Sequence, residues 1–364
     1  MPVEPPPWCR PAVAPLRPVD ALRRIVYLLD RVLAEPYKVR AFRRAAEAVD
    51  ELGDARVGRL AATGALEDVP GIGRTTAAVI TQAAQGRVPE YLERLEAETV
   101  IEVPDAARPY RAALRGDCHL HSDWSDGGAS IEAMALTARE LGHDYVVLTD
   151  HSPRLTVAHG LDRERLLDQL RVVDELNERL APFRVLTGME VDILPDGRLD
   201  LDDDLLARLD VVVASVHSKL RMDAPTMTRR LVLAAASPHV DILGHCTGRK
   251  LSSDGEQPAS DTAAKRPPST FDADLVFAAC ARFDTAVEIN CRPERQDPPD
   301  ELLALALEWG CRLAVDTDAH APGQLEWQPS GCAKAARHDV DVDRIVNTWD
   351  ADRLVAWAAS HPLD

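Results

Sequence analysis

The sequence has few aromatic residues and no long run of apolar residues. Phe, Trp and Tyr together make up 4% of the 364 residues, and every apolar run is far shorter than the roughly 20 residues that cross a bilayer as a helix. The sequence therefore predicts no membrane span. It also lacks any Cys-x-x-Cys pair among its seven cysteines, and this odd, scattered set predicts free thiols in a reducing cytoplasm.

Basic residues are outnumbered by acidic ones, 42 against 60, which gives a formal charge of −18 at pH 7. A charge of this sign normally argues against a nucleic-acid partner, because phosphate binding relies on a positive surface. The average conceals two unlike parts. Residues 1–115 carry 17 basic and 16 acidic residues, a net charge of +1, and the remainder carries −19. Two domains of different construction are expected.

The first part predicts a leader, a helical domain and a linker. Residues 1–18 contain seven prolines and predict a disordered leader, without the apolar segment of a secretion signal. Helical patterns follow, and the helical domain is assigned to residues 19–100. Residues 101–115 are assigned as a linker, and residues 116–364 as the second domain.

Two amphipathic helices are predicted at the start of the helical domain. Apolar residues recur at helical spacing from Asp20 to about Pro36. A second pattern runs from about Val39 to Leu52, and Gly53 after it is typical of a C-terminal helix cap.

A Pro-Gly-x-Gly turn lies further along this domain, at residues 70–73. Backbone N–H groups of such a turn, at the start of the next helix, point outward and can hold a phosphate. The candidate contacts are Gly71, Gly73, Arg74 and Thr75. A plain turn between helices is the competing interpretation, but the surrounding apolar residues favour the functional one. The segment resembles the helix-hairpin-helix element of DNA repair proteins, which implies contact with the DNA backbone without sequence readout.

The second part alternates short apolar strands with helical patterns, such as the one over residues 163–180. Spacings of 27 to 45 residues between the strand ends fit repeated βα units. Seven strands are predicted, each followed by polar residues beginning at His119, His151, Glu190, His217, His245, Asn290 and Asp318. This pattern is typical of a TIM-like barrel. We predict the α/β class, with a distorted TIM-like (β/α)7 barrel preceded by a small all-α helix-hairpin-helix domain.

One polar stretch interrupts the alternation. Residues 251–270 have almost no apolar content and predict a disordered loop. Because the stretch leaves the barrel mouth directly after a strand end, a lid over the site is the alternative.

The strand ends gather residue types that bind metal ions. His-x-His and Asp-x-His pairs place both side chains on one face of a strand. A lone histidine at a strand end is usually structural, but six histidines with three carboxylates at one end of a barrel favour metal ligands. The set is His119, His121, Asp126, His151, Glu190, His217, His245, Asp318 and His320. Nine ligands suit two or three divalent ions, Mn²⁺ or Zn²⁺ with Fe²⁺ as a further candidate, and clustered ions suit hydrolysis of phosphate esters.

These motifs resemble those of the PHP (polymerase and histidinol phosphatase) superfamily over residues 116–364. The segments that carry the resemblance are 119–121, 149–151, 190, 215–218, 243–245 and 317–320. Further segments are similar to the PHP domain of bacterial family X DNA polymerases, namely 124–127, 211–218, 241–249 and 288–290. The helical domain resembles the N-terminal domain of that family. The linker is too short to contain the polymerase palm and thumb, so the polymerase is absent.

The resemblance also implies how the ligands are shared. One ion would be held by His119, His121, Glu190 and Asp318. A second would be held by Glu190, His217 and His245, with the glutamate bridging. A third would be held by Asp126, His151 and His320.

The expected reaction is hydrolysis of a phosphate ester, with hydroxide formed on the clustered metals attacking phosphorus. No side-chain nucleophile is needed. Basic residues just after the strand ends would clamp a phosphate oxygen, with plain solvation as the alternative, and Asn290 would orient the substrate or a water. The residues expected to act in catalysis are Glu190, Asp318, His320, Lys219, Arg249, Arg292 and Asn290.

Three functions remain open. The first is a hydrolase acting on DNA ends, as a 3′–5′ exonuclease or 3′-phosphatase in DNA repair, which the fusion of hairpin and barrel favours. The second is a small-molecule phosphatase of the histidinol phosphatase type. The third, a non-catalytic DNA-binding protein, is the weakest because all nine ligand positions are filled. The expected partner is DNA, contacted through its backbone, and no membrane contact or particular oligomeric state is predicted.

Overall fold

A computed structural model describes residues 4–251 and 265–361. The chain divides into two compact units, each described by itself below. The helical unit consists of Glu4–Glu102 and Ala321–Glu326. The barrel unit consists of Val103–His320 and the chain from Trp327 onward. None of the helices within the described ranges is long and apolar enough to cross a membrane.

Five α-helices form the described part of the helical unit. They are α1 (Pro18–Arg31), α2 (Pro36–Leu52), α3 (Asp54–Thr63), α4 (Arg74–Ala84) and α5 (Glu90–Glu98). Proline at the first position suits the starts of α1 and α2, because its missing N–H would be unpaired there. Gly64 ends α3 in the left-handed conformation. Leu22, Ile25 and Leu28 of α1 are fully buried in the core of this unit.

The structure sharpens two expectations for this unit. Both predicted helices are present, but each begins a few residues earlier, at a proline that the apolar pattern does not mark. The predicted leader differs more. Pro7–Cys9 form a 3-10 turn, Cys9 is buried, and its carbonyl accepts a hydrogen bond from the Arg24 guanidinium at 3.4 Å.

Seven parallel strands form the barrel within the described residues, and their spatial order follows the chain. They are β1 (Gly116–Leu120), β2 (Tyr145–Leu148), β3 (Arg184–Asp192), β4 (Val211–Ser215), β5 (Ile242–Leu243), β6 (Ala286–Asn290) and β7 (Leu313–Asp316). Leu120 bridges to Ala319, and the His121 N–H donates to the Ala319 carbonyl at 2.8 Å. The sheet therefore nearly closes, which confirms the predicted distorted TIM-like barrel.

Helices cover the outside of the barrel. Those described are α6 (Arg108–Ala113), α7 (Ile131–Glu140), α8 (Arg163–Leu180), α9 (Asp203–Leu206), α10 (Ala224–Ala235), α11 (Ala273–Phe283), α12 (Asp300–Glu308), α13 (Gln328–Arg337) and α14 (Ala351–Ala358). Directly before four of them lies an aspartate cap, whose side chain accepts a hydrogen bond from the N–H three residues further along the chain. These caps are Asp162, Asp223, Asp272 and Asp350. α6 lies within the stretch predicted as a linker.

The strands are apolar on both faces because the barrel is buried inside and out. The five residues of β4 are all buried, as expected for parallel strands covered by helices. At one end of the barrel, Trp349 and Trp357 contribute to the core cluster that contains Tyr145 and Val211. The opposite, carboxyl ends of the strands carry the candidate ligands.

Candidate metal centre

All nine predicted ligands lie together at the carboxyl ends of the strands. His119 and Glu190 lie within β1 and β3, and the other seven follow strand ends. Most of the nine are buried, and the Glu190 side chain is 1% exposed. The Asp126 side chain, 35% exposed, marks the open side of the cluster. The barrel topology thus gathers residues that are distant in sequence at one site.

Glu190 lies at the middle of the cluster. Its Oε1 is 2.8 Å from His245 Nε2 and 3.2 Å from His217 Nε2. Its Oε2 is 2.9 Å from His151 Nδ1 and 3.4 Å from His119 Nε2. One carboxylate thus contacts histidines from four strand ends, as a bridging ligand between two ions requires.

Two aspartates complete the cluster on its other side. Asp318 Oδ1 lies 3.6 Å from His121 Nε2 and 3.5 Å from His320 Nδ1. Asp126 Oδ1 lies 3.5 Å from His151 Nε2 and 3.4 Å from His320 Nε2. Ligand atoms bound tetrahedrally to one ion at about 2.1 Å are about 3.4 Å apart. The observed separations therefore fit ligands that share ions.

Several ring nitrogens in the cluster are buried without a hydrogen-bond partner among the described residues. Both nitrogens of His121 and of His217 are in this state, as is Nε2 of His119. Leaving such a group unpaired costs about 1–3 kcal/mol. Divalent cations would supply the missing partners and match the carboxylate charge, so the residues present fit a metal centre.

The charges of the cluster suit metal binding as well. Burial raises the pKa of Glu190, but the surrounding histidines, His217 first, outweigh burial and hold its pKa well below the usual range. Burial, with His320 and His151 nearby, lowers the pKa of His121 well below 6.5. Burial lowers the pKa of His217, but Glu190 outweighs burial and raises it to about 9. Because metals bind the ionised carboxylate and the neutral imidazole, metal binding would displace the proton from His217.

The backbone is unusual at two of the ligands. His245 and Asp318 have positive φ angles of 21° and 53°, which are rare for residues with a side chain. A Cβ at the preceding Gly244 would lie 2.3 Å from Ser215 Oγ, so only glycine fits there. Strain of this kind is typical of functional sites, and it holds both ligands toward the cluster.

A buried aspartate supports the turn that carries Asp126. Asp150 accepts hydrogen bonds from the Ser122 N–H at 2.8 Å and from the Ser125 hydroxyl at 2.5 Å. A Cβ at Gly127 would lie 2.6 Å from the Ser122 backbone, so the tight turn requires glycine. The residues around the ligand therefore fix its position.

Three groups of ligand atoms each lie within 4.8 Å of one another. They are His119, His121 and Glu190; His151, Glu190 and His217; and His121, Asp126, His151 and His320. The sharing differs from the implied one in two ways. His121 also joins the third group and His151 the group around Glu190, and neither Asp318 nor His245 is part of any of the three groups. The assignment of residues to individual ions stays a prediction.

Two of the predicted phosphate contacts have different surroundings. Lys219 is exposed at the rim, with φ of 55°. Arg249 is buried, and its guanidinium donates to the carbonyls of Arg295 at 3.0 Å and Gln296 at 2.5 Å. The geometry therefore makes Arg249 a support for the loop after β6.

The other two predicted residues lie against the ligands. Arg292 Nη1 is 3.0 Å from His320 Nδ1 and 3.2 Å from the Asp318 carbonyl. The Asn290 amide donates to Glu288 Oε2 at 3.1 Å and to Asp318 Oδ2 at 3.2 Å. Asn290 thus orients a ligand directly.

Sequence reasoning missed Arg295 in the same loop. Its side chain is 12% exposed, and its Nε is 2.9 Å from Asp318 Oδ2. Nη1 is buried and makes no hydrogen bond to any residue that the structure describes. Arg295 lies five positions past Asn290, in an irregular loop where no periodic pattern distinguishes it from the neighbouring Arg292.

The glycine turn of the helical unit is tight, as expected, but not all of its N–H groups are available to a phosphate. Gly71 has φ of 91°, and a Cβ there would lie 3.5 Å from the Arg44 carbonyl. The Gly73 N–H donates to Thr76 Oγ1 at 2.9 Å, so this donor is satisfied within the chain. Arg74 and Thr75 open α4, where first-turn N–H groups have no carbonyl partner within the helix.

The predicted polar loop is described only at its ends. Residues 252–264 lie outside the described residues. Lys250 and Arg266 exchange backbone hydrogen bonds at 2.9 and 3.0 Å, and the Leu251 N–H donates to the Glu294 carbonyl at 2.7 Å.

Comparison with known proteins identifies similar chains. Residues 117–263 match the PHP domain family. The chain is 38% identical over 234 residues to "DNA polymerase/3'-5' exonuclease PolX" of Bacillus subtilis (strain 168), which is 64% of this chain and 39% of that protein. The chain thus spans well under half the length of this relative.

Two further matches are more distant. A protein named a probable phosphatase, from Thermoanaerobacter sp. (strain X514), is 28% identical over 56% of this chain and 78% of its own length. A crystal structure of histidinol phosphate phosphatase from Lactococcus lactis, with zinc, L-histidinol and phosphate, aligns at 15% identity and a TM-score of 0.40. It covers 62% of this chain and 93% of that one.

Proposed function

Because this chain belongs to the PHP superfamily of hydrolases, we propose that it is a metal-dependent phosphoesterase that acts on DNA ends in repair. It would remove nucleotides as a 3′–5′ exonuclease or remove a 3′-terminal phosphate. The observation that supports the proposal is a cluster of metal-binding residue types around Glu190, in a chain whose turn at Gly71 resembles a helix-hairpin-helix element.

The ions of this proposal are two or three divalent metals, Mn²⁺ or Zn²⁺, with Fe²⁺ as a further candidate. They would be held by the nine residues of the cluster, with Glu190 shared. When bound, such ions lower the pKa of water and offset the negative charge of a phosphate.

The chain's own residues would bind and orient the phosphate. Arg292 and Arg295 approach Asp318 from one loop, and guanidinium groups suit the non-bridging oxygens of a phosphate. Arg295 supports this role because its buried Nη1 has no other acceptor within the described residues. Asn290 would keep the Asp318 carboxylate turned toward the cluster. The buried surroundings strengthen each of these charge interactions.

The DNA part of the proposal is supported by the turn around Gly71 and by the name of the Bacillus relative. Contacts to the backbone at Gly71, Arg74 and Thr75 would position a DNA end without reading its sequence. Gly73 would allow the tight turn but would not donate a hydrogen bond to the phosphate, because its N–H already donates to Thr76 Oγ1. All seven cysteines are free and buried, which supports a cytoplasmic location.

A small-molecule phosphatase of the histidinol phosphatase type is the second candidate. The names of the probable phosphatases among the relatives favour it. A DNA-binding protein without catalysis is the third candidate, and the filled ligand positions disfavour it.

The test compares substrates directly. Purified protein with Mn²⁺ is incubated with single-stranded DNA, gapped DNA, DNA bearing a 3′-phosphate, and histidinol phosphate. We expect degradation or dephosphorylation of the DNA 3′ end, and we expect His119→Ala to abolish it because a buried ligand is lost. His239→Ala, which changes a half-buried histidine before β5, serves as the control and should retain activity. Fast histidinol phosphate hydrolysis without action on DNA would favour the second candidate.

A further inference from the structure

A glutamate that is not among the nine ligands lies directly beneath the cluster. Glu288, in β6, is fully buried. No described group of mutually close ligand atoms includes it. A buried carboxylate is costly unless it is fully hydrogen-bonded, so its contacts indicate what it does.

The two oxygens of Glu288 contact two different ligands. Oε1 is 2.6 Å from His119 Nδ1, and Oε2 accepts the His245 backbone N–H at 2.6 Å. The Asn290 amide donates both to Glu288 Oε2 and to Asp318 Oδ2. Glu288 is thus connected to three ligands that come from three strand ends.

These contacts determine the state of the ligands. An ionised carboxylate accepts hydrogen bonds only, so the 2.6 Å contact orients His119 Nδ1 as the donor to Glu288 and leaves Nε2, which faces Glu190, as the atom that would bind an ion. The hydrogen bond from the His245 N–H holds a residue whose φ of 21° is otherwise unfavourable. Glu288 therefore acts on the ring of one ligand and on the backbone of another.

We propose that Glu288 is a positioning residue that couples the candidate ion sites, so that its loss weakens at least two bound ions although it contacts neither. In the proposed sharing, His119 and Asp318 belong to one ion and His245 to another. The inference rests on the proposed metal ligands. Loss of a carboxylate that hydrogen-bonds to metal ligands typically lowers metal affinity about 10–100-fold.

The test measures metal binding by itself, without activity. Wild-type protein is first titrated with Zn²⁺ against a chromophoric chelator, and metal content is determined by mass spectrometry. A wild type that binds no ion contradicts the proposed function. When it binds two or more, Glu288→Gln is compared with Glu301→Gln, an exposed glutamate of α12.

We expect Glu288→Gln to bind at least two ions about 10–100-fold more weakly, while Glu301→Gln matches wild type. With the amide oxygen toward His119, the amide places an N–H group where both the His245 N–H and the Asn290 amide need an acceptor. Support is then lost for His245 of one ion and, through Asn290, for Asp318 of another. Wild-type affinity at all sites, or weakening of a single ion, would overturn the coupling.

Glu288→Asp provides the second measurement and covers the case in which Glu288→Gln does not fold. It keeps the charge but is shorter by one methylene, so it cannot reach both ligands. We expect weakened binding of at least two ions in Glu288→Asp also. Retention of full affinity would show that buried charge alone is needed and would contradict the positioning role. Circular dichroism of the metal-free proteins establishes that each variant is folded.

Discussion

The barrel site and the hairpin of the helical unit are built in opposite ways. The nine ligands are spread from His119 to His320 and meet only because parallel strands bring their carboxyl ends together. The predicted phosphate contacts of the hairpin are nearly consecutive, from Gly71 to Thr75, and would depend on one local turn. A substitution in the barrel site should therefore impair hydrolysis of every phosphate substrate, whereas a substitution in the hairpin should affect only DNA binding.

The barrel unit is acidic, whereas the helical unit is nearly neutral, and many acidic residues of the barrel unit have roles that do not depend on the substrate. Part of the −19 charge lies in the ligands, and part in aspartates such as Asp162 and Asp223 that cap helices. Caps need a side-chain acceptor whatever the partner of the protein is. Divalent ions would also concentrate positive charge at the mouth. Net charge alone therefore does not argue against a DNA substrate.

The largest effect in this comparison is expected at Arg295. Arg295→Met would remove the proposed charge-assisted hydrogen bonds to the substrate phosphate, each worth about 1.5–3 kcal/mol. We expect kcat/KM for DNA and for an aryl phosphate to fall about 10–100-fold together, because both substrates present a phosphate to the barrel site. Steady-state kinetics at saturating Mn²⁺ measures this change.

The matched control is Arg221→Met, which changes an exposed arginine in the loop after β4. It should leave both substrates unaffected. A fall for DNA with no change for the aryl phosphate would assign Arg295 to DNA contact rather than to the reacting phosphate.

A smaller effect is expected at the hairpin. Gly71→Glu introduces a side chain at φ of 91° and a negative charge beside the expected phosphate. We expect about tenfold weaker DNA binding, measured by fluorescence anisotropy at fixed salt, with a shallower salt dependence. Hydrolysis of the aryl phosphate should not change.

Gly86→Glu makes the same change at another exposed, positive-φ glycine of the helical unit, where φ is 72° and no atom lies within 4 Å of the added Cβ. It controls for backbone strain and for charge. Equal weakening by both substitutions, or a parallel loss of aryl phosphate hydrolysis, would contradict a local phosphate contact at the hairpin.

The same contrast explains what the sequence could predict. The pattern over 163–180 coincides with α8, because an amphipathic helix with an aspartate cap is determined locally. The proximity of the nine predicted ligands could be predicted because each lies at or after the carboxyl end of a strand in a repeated pattern. Arg295 could not, because it lies on an irregular loop whose shape depends on Arg249 contacting its carbonyls from another strand end. The packing of Cys9 on α1 is likewise a contact between segments.

The smallest expected effect is a difference between the two units in how their stability changes as the pH falls. The sequence contains no histidine before His119, so histidine titration between pH 7.5 and 6 is expected to affect the barrel unit. His143 is buried before β2, and burial, with Arg111 nearby, lowers its pKa to about 3. Its folded-state pKa is below the unfolded value of about 6.5, so its contribution to stability is present above pH 6.5 and is lost as pH falls toward 3.

We therefore expect the wild type to lose up to about 1 kcal/mol more than His143→Gln between pH 7.5 and 6, because the neutral amide binds no proton in the unfolded chain. Urea unfolding at both pH values, at one fixed metal concentration, measures the difference. Since the variant leaves the metal ligands in place, their titration cancels in the comparison. Equal pH dependence of the two proteins would show that His143 accepts a proton while folded, and would remove this distinction between the barrel unit and the helical unit.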